Sequence, residues 1–471
     1  MLSFTIFPLL FFTMALHVII LAAGLGQRMH SAVPKVLHTI AGRSMLEHVI
    51  ATAQALQPEN IHVVIGHAAD TIQAACQHVS VNWITQTKQL GTGHAVLQAL
   101  PHIPNNAHIL VLYGDVPLLR AETLQNLISV SQAHAQSLSL LLAKVPKPYG
   151  LGRIIRDPQN QITAIIEEKD TNEQQRAITE IYSGICCVSA GHLNRWLPKI
   201  TPQNAQAEYY FTDIVALAKA EQQTIASFQV SDYQDILGVN DRFQLQQAER
   251  IWQQRTAQQL LLSGVGIADA QRIDIRGTLH CEKDVFIDVN NVFIGQVQIG
   301  TQSVIEPNCV LTDVTIGARC RIASNCVLED CHIGDDCQIG PFARIRPGTQ
   351  LAAHCKIGNF VEAKKAIFGE HSKASHLSYL GDVTIGKDVN IGAGTITCNY
   401  DGANKYQTII EDGVHIGSDT QLIAPVTIGK NATIGAGSTI RSNVPSDELT
   451  LTISQQKTIR GWKRKKKLDK E

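Results

Sequence analysis

The strongest constraint on the fold is a regular spacing of isoleucine and leucine in the C-terminal half of the chain. Counted in steps of six, with resets between groups, this ladder consists of Ile299, Ile305, Leu311, Ile316, Ile322, Leu328, Ile333, Ile339, Ile345, Leu351, Ile357, Ile385, Ile391, Ile410, Ile416, Leu422, Ile428, Ile434 and Ile440. A six-residue period is typical of a parallel β-helix of hexapeptide repeats, in which three hexads form one triangular coil and equivalent apolar side chains stack. We expect the left-handed form. Such a solenoid is stable as a scaffold alone, so function must come from interruptions of the ladder.

Cysteines recur at one position of this ladder. Five of the eleven cysteines stand four residues after a ladder residue, where a small side chain is wanted: Cys309, Cys320, Cys326, Cys337 and Cys355. Free cysteine packs as a small hydrophobic side chain, and no cysteine pair is followed by a second ligand pair at zinc-finger spacing. We therefore expect packing residues in a reducing compartment rather than disulfides or a zinc site.

Two segments are predicted to break the ladder. The first is "EAKKAIFGEHSKASHLSYLGD" at 362–382, and the second is "NYDGANK" at 399–405. Both are rich in Lys, His, Tyr, Asn and Asp side chains, which bind phosphates and sugars and transfer protons. We interpret both segments as departures from the scaffold that carry function.

The N-terminal half has a different pattern, in which short apolar runs alternate with amphipathic stretches. The runs "HVIILAAG", "IHVVIGH", "VNWITQ" and "HILVLYGD" have the composition of strands, and the stretches between them that of helices. This alternation predicts an α/β doubly wound, Rossmann-like domain with a mostly parallel sheet and helices on both faces. Ligands of such sheets bind at the carboxyl ends of the strands, where "AAGLGQRM" and "YGDVP" fall.

These patterns divide the chain into five segments. The predicted boundaries are an N-terminal extension at 1–13, the α/β domain at 14–240, a Gln-rich linker helix at 241–264, the β-helix domain at 265–463 and a basic tail at 464–471. The apolar extension has no preceding basic residue and no small-residue cleavage site. We expect either that translation starts after this segment, so that it was assigned to the chain in error, or that it is a disordered extension. We do not expect a signal peptide or a membrane anchor. A net charge of −1 provides no chain-wide field to attract nucleic acid.

Three short motifs in the N-terminal half suggest chemistry on phosphates. "GLGQRM" is a glycine-rich loop carrying Arg28, "PKVLHTIAG" supplies Lys35, and "YGDVP" supplies Asp115. The loop lacks the features of a Walker A motif or a full dinucleotide-binding fingerprint, and alone it is also explained as a strand-to-helix turn. Together, backbone N–H groups, two cations and a carboxylate are what phosphoryl transfer needs, so we interpret Asp115 as a metal ligand.

These motifs resemble those of a known family. "LAAGLGQRM", "PKVLHTIAG", "QLGTGHA", "YGDVPL" and "GVNDR", followed by "GNFVEAKKA", "HLSYLGD" and "NIGAGTITCNYDGANK", are similar to the bacterial bifunctional N-acetylglucosamine-1-phosphate uridyltransferases/glucosamine-1-phosphate acetyltransferases over about residues 14–463. The resemblance implies acetyl transfer from acetyl-CoA to glucosamine-1-phosphate, then Mg²⁺-dependent uridylyl transfer from UTP. It also implies a cytoplasmic homotrimer formed through the β-helix, acting on small molecules, without nucleic-acid binding or stable membrane insertion.

For uridylyl transfer, the resemblance implies that Arg28 and Lys35 are catalytic cations and that Asp115 and Asn240 bind Mg²⁺. The residues implied to hold UTP and the UDP-sugar are Leu21, Ala22, Ala23, Gly24, Lys35, Gln86, Gly91, Thr92, Tyr113, Gly114, Asp115, Gly152, Glu167 and Asn240. The chain departs from the family at "IYSGI", where Tyr182 stands in place of a sugar-contacting Asn. Tyr182 or Ser183 is a candidate substitute, or the loop is arranged differently.

For acetyl transfer, His376 falls at the position of the family's general base, although a lone loop histidine is more often a surface residue. The unperturbed histidine pKa of roughly 6.5 suits a base. The resemblance implies that glucosamine-1-phosphate is bound by Arg346, Lys364, Tyr379, Asn390 and Lys405, and acetyl-CoA by Ala393, Asn399, Tyr400, Ser418 and Ala436. The family's arginine for the coenzyme A phosphate is missing near Ile453, and Lys457, Arg460 or the basic tail are candidates to replace it.

Two other functions are compatible with the two-part architecture. A monofunctional nucleotidyltransferase would use the β-helix only for assembly or regulation, which predicts a featureless solenoid. A non-catalytic subunit would need no intact site at all. The polar clusters near His376 and Asn399 argue against the first, and the joint presence of Arg28, Lys35 and Asp115 argues against the second.

Overall fold

The structure, a computed structural model, describes residues 15–133 and 138–464. The predicted extension at 1–13 and the tail from residue 465 onward lie outside the described residues. The chain divides into two compact units with the boundary between Gln254 and Arg255. Within the described ranges, no helix is long and apolar enough to cross a membrane.

The first unit contains a nine-stranded sheet and a two-stranded hairpin. Its strands are β1 (Leu16–Ala22), β2 (Thr39–Ile40), β3 (Arg43–Ser44), β4 (Asn60–Ile65), β5 (Asn82–Thr85), β6 (His108–Tyr113), β7 (Leu138–Lys144), β8 (Gly152–Arg156), β9 (Ile162–Ile166), β10 (Glu180–Ser189) and β11 (Ile225–Gln229). The sheet order is β11-β7-β10-β6-β1-β4-β5, with the β8–β9 hairpin attached to β10. Strands β6, β1, β4 and β5 are parallel, and β10 is antiparallel to β6 and β7.

Helices cover both faces of this sheet. The helices that contribute to the two cores on its faces are α1 (Met45–Gln54), α2 (Ala69–Ala75), α3 (Thr92–Ala99), α4 (Ala121–Ala133), α6 (Ala190–Trp196) and α7 (Ile214–Ala220). Two further helices, α5 (Glu173–Arg176) and α8 (Arg242–Leu262), contribute to neither of these cores, and α8 extends across the boundary between the two units. In β1, Val18 and Ile20 pack into the core that contains α1, α2 and α4 residues, whereas Ile19 and Leu21 pack with α3, α6 and α7. Burial on both sides explains the uninterrupted apolar strand. The doubly wound prediction is confirmed.

The second unit is a solenoid of parallel strands. They are β12 (Gly266–Ile267), β13 (Ile273–Cys281), β14 (Phe286–Ile287), β15 (Asn291–Ile299), β16 (Val304–Ile305), β17 (Val310–Ile316), β18 (Arg321–Ile322), β19 (Val327–Ile333), β20 (Gln338–Ile339), β21 (Arg344–Ile345), β22 (Thr349–Leu351), β23 (Lys356–Asn359), β24 (Glu362–Phe368), β25 (Lys373–His376), β26 (Tyr379–Ile385), β27 (Asn390–Ile391), β28 (Ile396–Cys398), β29 (Thr408–Ile410), β30 (His415–Ile416), β31 (Gln421–Ile423), β32 (Val426–Ile428), β33 (Thr433–Ile434), β34 (Thr439–Ile440) and β35 (Leu449–Thr450). They form an 11-stranded and a 13-stranded sheet.

Columns of buried side chains fill the solenoid. In the 11-stranded sheet, consecutive coils pair in register at Ile305, Ile322, Ile339, Ile357, Ala374, Ile391, Ile416 and Ile434. The prediction of a parallel β-helix of hexapeptide repeats is confirmed, and the stacked parallel sheets fit the left-handed form. All eleven cysteines, each among the described residues, are free thiols. The five ladder cysteines are buried, and each thiol donates to a carbonyl, such as Cys309 Sγ to Ala323 O at 3.3 Å.

The predicted break at 362–382 is wrong. Strands β24, β25 and β26 continue the coils in parallel register, with Ala363, Phe368, Ala374 and Leu380 buried at the ladder positions. The sequence pattern indicated a break because alanine or phenylalanine replaces isoleucine or leucine at three of these positions. In addition, the step from Ala363 to Phe368 is five residues rather than six.

The predicted interruption at 399–405 is confirmed. Thr397 occupies a ladder position, fully buried and paired with Leu422, and the next ladder residue is Ile410. The extra residues between them form a turn in which Tyr400 and Lys405 make an antiparallel bridge. The Asp401 carboxylate accepts hydrogen bonds from the following backbone N–H groups. The loop is therefore a compact, internally bonded projection from the coil.

Candidate active sites

The first candidate site lies at the carboxyl end of β1. Residues 21–24 run from the buried end of this strand into the exposed glycine-rich loop, which continues into a 3-10 turn at Gln27–Met29. The backbone N–H of Gly114 donates to Leu21 O at 2.9 Å, which fixes the end of β6 beside this loop. The topology therefore brings together two motifs that are far apart in sequence, as predicted from the position of both motifs at the carboxyl ends of strands.

Four predicted residues meet in one polar cluster at this edge. The Lys35 ammonium forms an ion pair with Asp115 Oδ2 and donates to Asn240 Oδ1 at 3.2 Å. Arg28 Nη2 donates to the same Asn240 oxygen at 2.9 Å. Backbone pairing brings the partners together, because Val239 N–H donates to Asp115 O at 2.9 Å. The side-chain oxygens of Asp115 and Asn240 therefore both contact the Lys35 ammonium, and the Arg28 guanidinium lies beside them.

The segment containing Gln86, Gly91 and Thr92 borders the same edge after β5. Gln86 is buried, and its Nε2 donates to Gly91 O at 3.2 Å and to His94 Nδ1 at 3.0 Å. Gly91 has a φ of 111°, and a Cβ there would lie 2.7 Å from Tyr209 O. Glycine is therefore required, and the Gln86 amide nitrogen holds the loop in this conformation at the start of α3.

Tyr113, Gly152 and Glu167 form the third part of this site. Burial raises the pKa of the Glu167 carboxyl, although Thr212 Oγ1 donates to its Oε1 at 3.2 Å. A Cβ on Gly152 would lie 3.8 Å from the Glu167 oxygens. Burial, followed by the nearby charge of Glu167, raises the pKa of Tyr113. The buried Glu167 carboxyl group therefore lies near the Tyr113 phenol and beside the backbone of Gly152. This arrangement can bind the hydroxyl groups of a ligand.

Tyr182 and Ser183, the candidates for the missing Asn, both bond to backbone oxygens of their own domain. The Tyr182 hydroxyl donates to Gly184 O at 2.7 Å, and Ser183 Oγ donates to Leu141 O at 2.7 Å. Tyr182 is also buried. Neither side chain presents its hydroxyl proton to a ligand in this arrangement.

The second unit carries a cationic cluster on the outer face of its 13-stranded sheet. Arg346 and Lys364 follow the ladder residue of successive coils, and Arg346 Nη1 lies 2.6 Å from Glu362 Oε1. The positive charges of Lys405 and then Arg346 lower the pKa of Lys364, so the three cations lie close together. The interruption loop thus brings Lys405 to the strand residues, and an anionic ligand would relieve the mutual repulsion of the cations.

Tyr379 lies in the next coil beside this cluster. Lys364 pairs in register with Gly381, and a Cβ on Gly381 would collide with the Tyr379 ring. The glycine therefore gives the phenol space to lie across its own strand. Arg346, Lys364, Tyr379 and Lys405, four of the five residues predicted for the sugar phosphate, share this region.

His376 lies at the exposed end of β25 and not in an interruption. Its Nδ1 donates to Asn359 Oδ1 at 2.8 Å, and the two residues pair in register between adjacent coils. Counting from the paired ladder residues, Ala393, Ser418 and Ala436 occupy the same position in the next three coils. Since strands are spaced by about 4.8 Å, this column extends from the histidine along the solenoid edge as a row of small side chains.

The remaining predicted residues are distributed differently. Asn399 is buried, and its Nδ2 donates to Asp382 Oδ2 at 2.5 Å, whereas the exposed Tyr400 hydroxyl donates to Gly402 O at 2.6 Å. Asn390 lies in the 11-stranded sheet, paired with Lys373, apart from the cationic cluster in the 13-stranded sheet.

Sequence reasoning missed several partners of the predicted residues, and four of these hold a side chain or backbone group at a candidate site. They are Thr212 beside Glu167, Gln244 beside Asn240, Asn359 beside His376 and Asp382 beside Asn399. One of them had a detectable signal, because Asn359 precedes His376 by one coil. The other three depend on side-chain directions that spacing does not encode.

Comparisons with known proteins cover both units. Residues 18–148 match the model of the MobA-like NTP transferase domain, and residues 330–364 and 407–442 match the bacterial transferase hexapeptide (six repeats). The Bifunctional protein GlmU of Legionella pneumophila (strain Lens) is 60% identical over 461 residues, which cover 97% of this chain and 100% of that protein. The Bifunctional protein GlmU of Marinobacter nauticus is 51% identical over 452 residues, covering 96% and 99%. The chain therefore belongs to the family of the bifunctional protein GlmU.

Proposed function

We propose that this protein is a bifunctional enzyme. It transfers acetyl from acetyl-CoA to glucosamine-1-phosphate, and then transfers uridylyl from UTP to N-acetylglucosamine-1-phosphate, releasing pyrophosphate. The observation that carries the proposal is the presence of two separate polar clusters in one chain, one in each unit, together with full-length similarity to bifunctional relatives.

Uridylyl transfer is assigned to the first unit. Arg28 and Lys35 are the cations that compensate charge on the phosphates, and residues 21–24, Gln86, Gly91 and Thr92 border the nucleotide. Tyr113, Gly114, Gly152 and Glu167 border the sugar. In-line attack by the sugar phosphate oxygen on the α-phosphorus requires orientation and charge stabilisation from these groups, and no covalent enzyme intermediate.

A divalent metal fits the same cluster, and we propose Mg²⁺. The support is that Asp115 Oδ2 and Asn240 Oδ1 converge on one cation, the Lys35 ammonium. Carboxylate and amide oxygens are ligands that Mg²⁺ accepts, and the ion would supply positive charge next to the transferred phosphoryl group. Lys35 would turn from these oxygens toward the phosphates when the metal binds.

Acetyl transfer is assigned to the second unit. Arg346, Lys364 and Lys405 would bind the sugar phosphate, with Tyr379 and Asn390 as sugar contacts. The sugar amine attacks the thioester carbonyl carbon, His376 removes the amine proton, and the carbon–sulfur bond breaks to release coenzyme A. The Ala393 backbone N–H, with Asn399 and Tyr400, would meet the acetyl group, and Ser418 and Ala436 would line the pantetheine channel.

We further propose a homotrimer that forms through the β-helix. The support is that Asn390 and the cationic cluster occupy different sheets of one chain, so a neighbouring subunit could complete each acetyl-transfer site. The abundance of free thiols and the nature of the substrates support a cytoplasmic location. Nucleic-acid and stable membrane partners are not part of the proposal.

The competing function is a nucleotidyltransferase with a purely structural β-helix. A single assay separates the two: the full-length protein is mixed with glucosamine-1-phosphate, acetyl-CoA and UTP, and free coenzyme A and pyrophosphate are followed separately. The proposal expects both products, with coenzyme A appearing even when UTP is omitted. A second mixture holds UTP and N-acetylglucosamine-1-phosphate alone, and pyrophosphate release there, with no coenzyme A or pyrophosphate released in the first mixture, would favour the monofunctional alternative.

A further inference from the structure

We propose that Asn359 is the positioning residue for the acetyl-transfer base, fixing the His376 ring with its proton on Nδ1 so that Nε2 is free to accept a proton. The inference rests on the proposed acetyl-transfer function and adds to it a residue that determines which nitrogen acts. It follows from contacts between two adjacent coils of the β-helix.

Backbone pairing between adjacent coils places Asn359 and His376 side by side. Asn359 ends β23 and His376 ends β25, and the two strands are paired in parallel register. One residue later, Leu377 N–H donates to Asn359 O at 3.1 Å. The side-chain hydrogen bond from His376 Nδ1 to Asn359 Oδ1, at 2.8 Å, therefore connects two positions that the coil geometry already aligns.

On the other side of the histidine, the neighbouring coil position among the described residues offers no equivalent partner. Ala393 occupies the same position in the following coil, and its methyl group offers no hydrogen-bonding atom. Of the two residues that flank His376 in this column, only Asn359 can hold a ring nitrogen. The histidine itself is exposed, so Nε2 can reach a ligand.

The chemistry of the two side chains explains the choice of residue. A neutral imidazole carries one N–H and one bare nitrogen, and a carbonyl oxygen bound to Nδ1 selects the form with the lone pair on Nε2. An amide makes this selection without placing a charge beside the ring. A carboxylate would also orient the ring, but it would stabilise the imidazolium and raise the histidine pKa, so that the ring would keep its proton up to higher pH values than an efficient base requires.

Two substitutions test the inference in the full-length protein, with coenzyme A release as the assay. Asn359→Ala should lower kcat for acetyl transfer by about tenfold or more, since a correctly oriented base contributes roughly 10²–10⁴-fold. KM for acetyl-CoA should change less than about twofold. Asn359→Asp should retain much more activity, while the acidic limb of its kcat/KM profile moves to higher pH by about one unit.

Each outcome has a defined meaning. An unchanged kcat in Asn359→Ala, or an acidic limb in Asn359→Asp that stays at the wild-type pH, would overturn the positioning role. Uridylyl transfer by the same preparations should stay at the wild-type rate and serves as the test of folding. Failure of the proposed function itself would be recognised separately, because then His376→Ala would also leave coenzyme A release unchanged.

Discussion

Gln244 Oε1 accepts a hydrogen bond from the backbone N–H of Asn240 at 2.7 Å, while the backbone N–H of Gln244 donates to Asp241 Oδ1 at 2.8 Å. The first turn of α8 is thus capped by the same residues that hold Asn240 at the polar cluster. The position of a proposed metal ligand therefore depends on a helix terminus.

Replacing Gln244 should weaken metal use by the first unit. In Gln244→Ala, we expect the Mg²⁺ concentration required for half-maximal pyrophosphate release to rise roughly tenfold, because residues that hold a ligand typically contribute that much to metal affinity. The measurement is a Mg²⁺ titration of uridylyl transfer. The exposed Gln246 of the same helix provides the control, Gln246→Ala, which should match the wild type. An equal Mg²⁺ requirement in all three proteins would contradict the positioning of Asn240 by Gln244.

Removing a cation from the second unit should affect binding of the sugar phosphate. In Lys364→Ala, we expect KM for glucosamine-1-phosphate to rise roughly tenfold or more, since a hydrogen bond to a charged group contributes about 1.5–3 kcal/mol. Steady-state acetyl-transfer kinetics measure this change. Lys356→Ala removes an exposed lysine from the other sheet as a control. If both variants raise KM to the same extent, net charge rather than the cluster binds the phosphate.

The N-terminal unit should lose stability on mild acidification. Burial, with nearby His17 and His102, lowers the pKa of His62 from 6.5 to about 4. Below pH 6.5 the unfolded chain takes up a proton that the folded protein excludes, so the free energy of unfolding falls as pH drops from 6.5 to 4. A shift of this size corresponds to about 3 kcal/mol.

Urea unfolding of this unit at several pH values measures that loss. His62→Leu should unfold with a shallower pH dependence than the wild type between pH 6.5 and 4. His67→Leu, which changes an exposed histidine near the same strand, should keep the wild-type dependence. Identical pH dependence for His62→Leu and the wild type would contradict a buried neutral His62.

The sequence predicted the scaffold well because buried positions in the strands and coils are mostly occupied by apolar residues. Continuous apolar runs identified the central strands, and the isoleucine ladder identified the coils. The prediction was wrong at 362–382, where Ala363 and Phe368 replace the usual ladder residues. Thr397 differs from the ladder pattern because it is a polar residue at a buried ladder position. Its hydroxyl is satisfied there, since it accepts a hydrogen bond from Gly381 N–H and donates one to Gly381 O.

The candidate sites were less predictable than the scaffold. The motif "PKVLHTIAG" indicated Lys35 and the end of a predicted strand indicated Asp115, but their pairing with Asn240 depends on the backbone contact between Val239 and Asp115. The contact between Asn359 and His376 was detectable from the sequence only with the length of this coil, since 17 residues separate the two. The internal bonding of Tyr182 required side-chain directions.

The central claim, two independent reactions in one chain, is tested most directly by measuring both activities in two variants. His376→Ala should lower coenzyme A release by at least about 10²-fold and leave pyrophosphate release from UTP and N-acetylglucosamine-1-phosphate unchanged. Asp115→Ala should give the reverse pattern. Loss of both activities in either folded variant, or of neither, would contradict the claim.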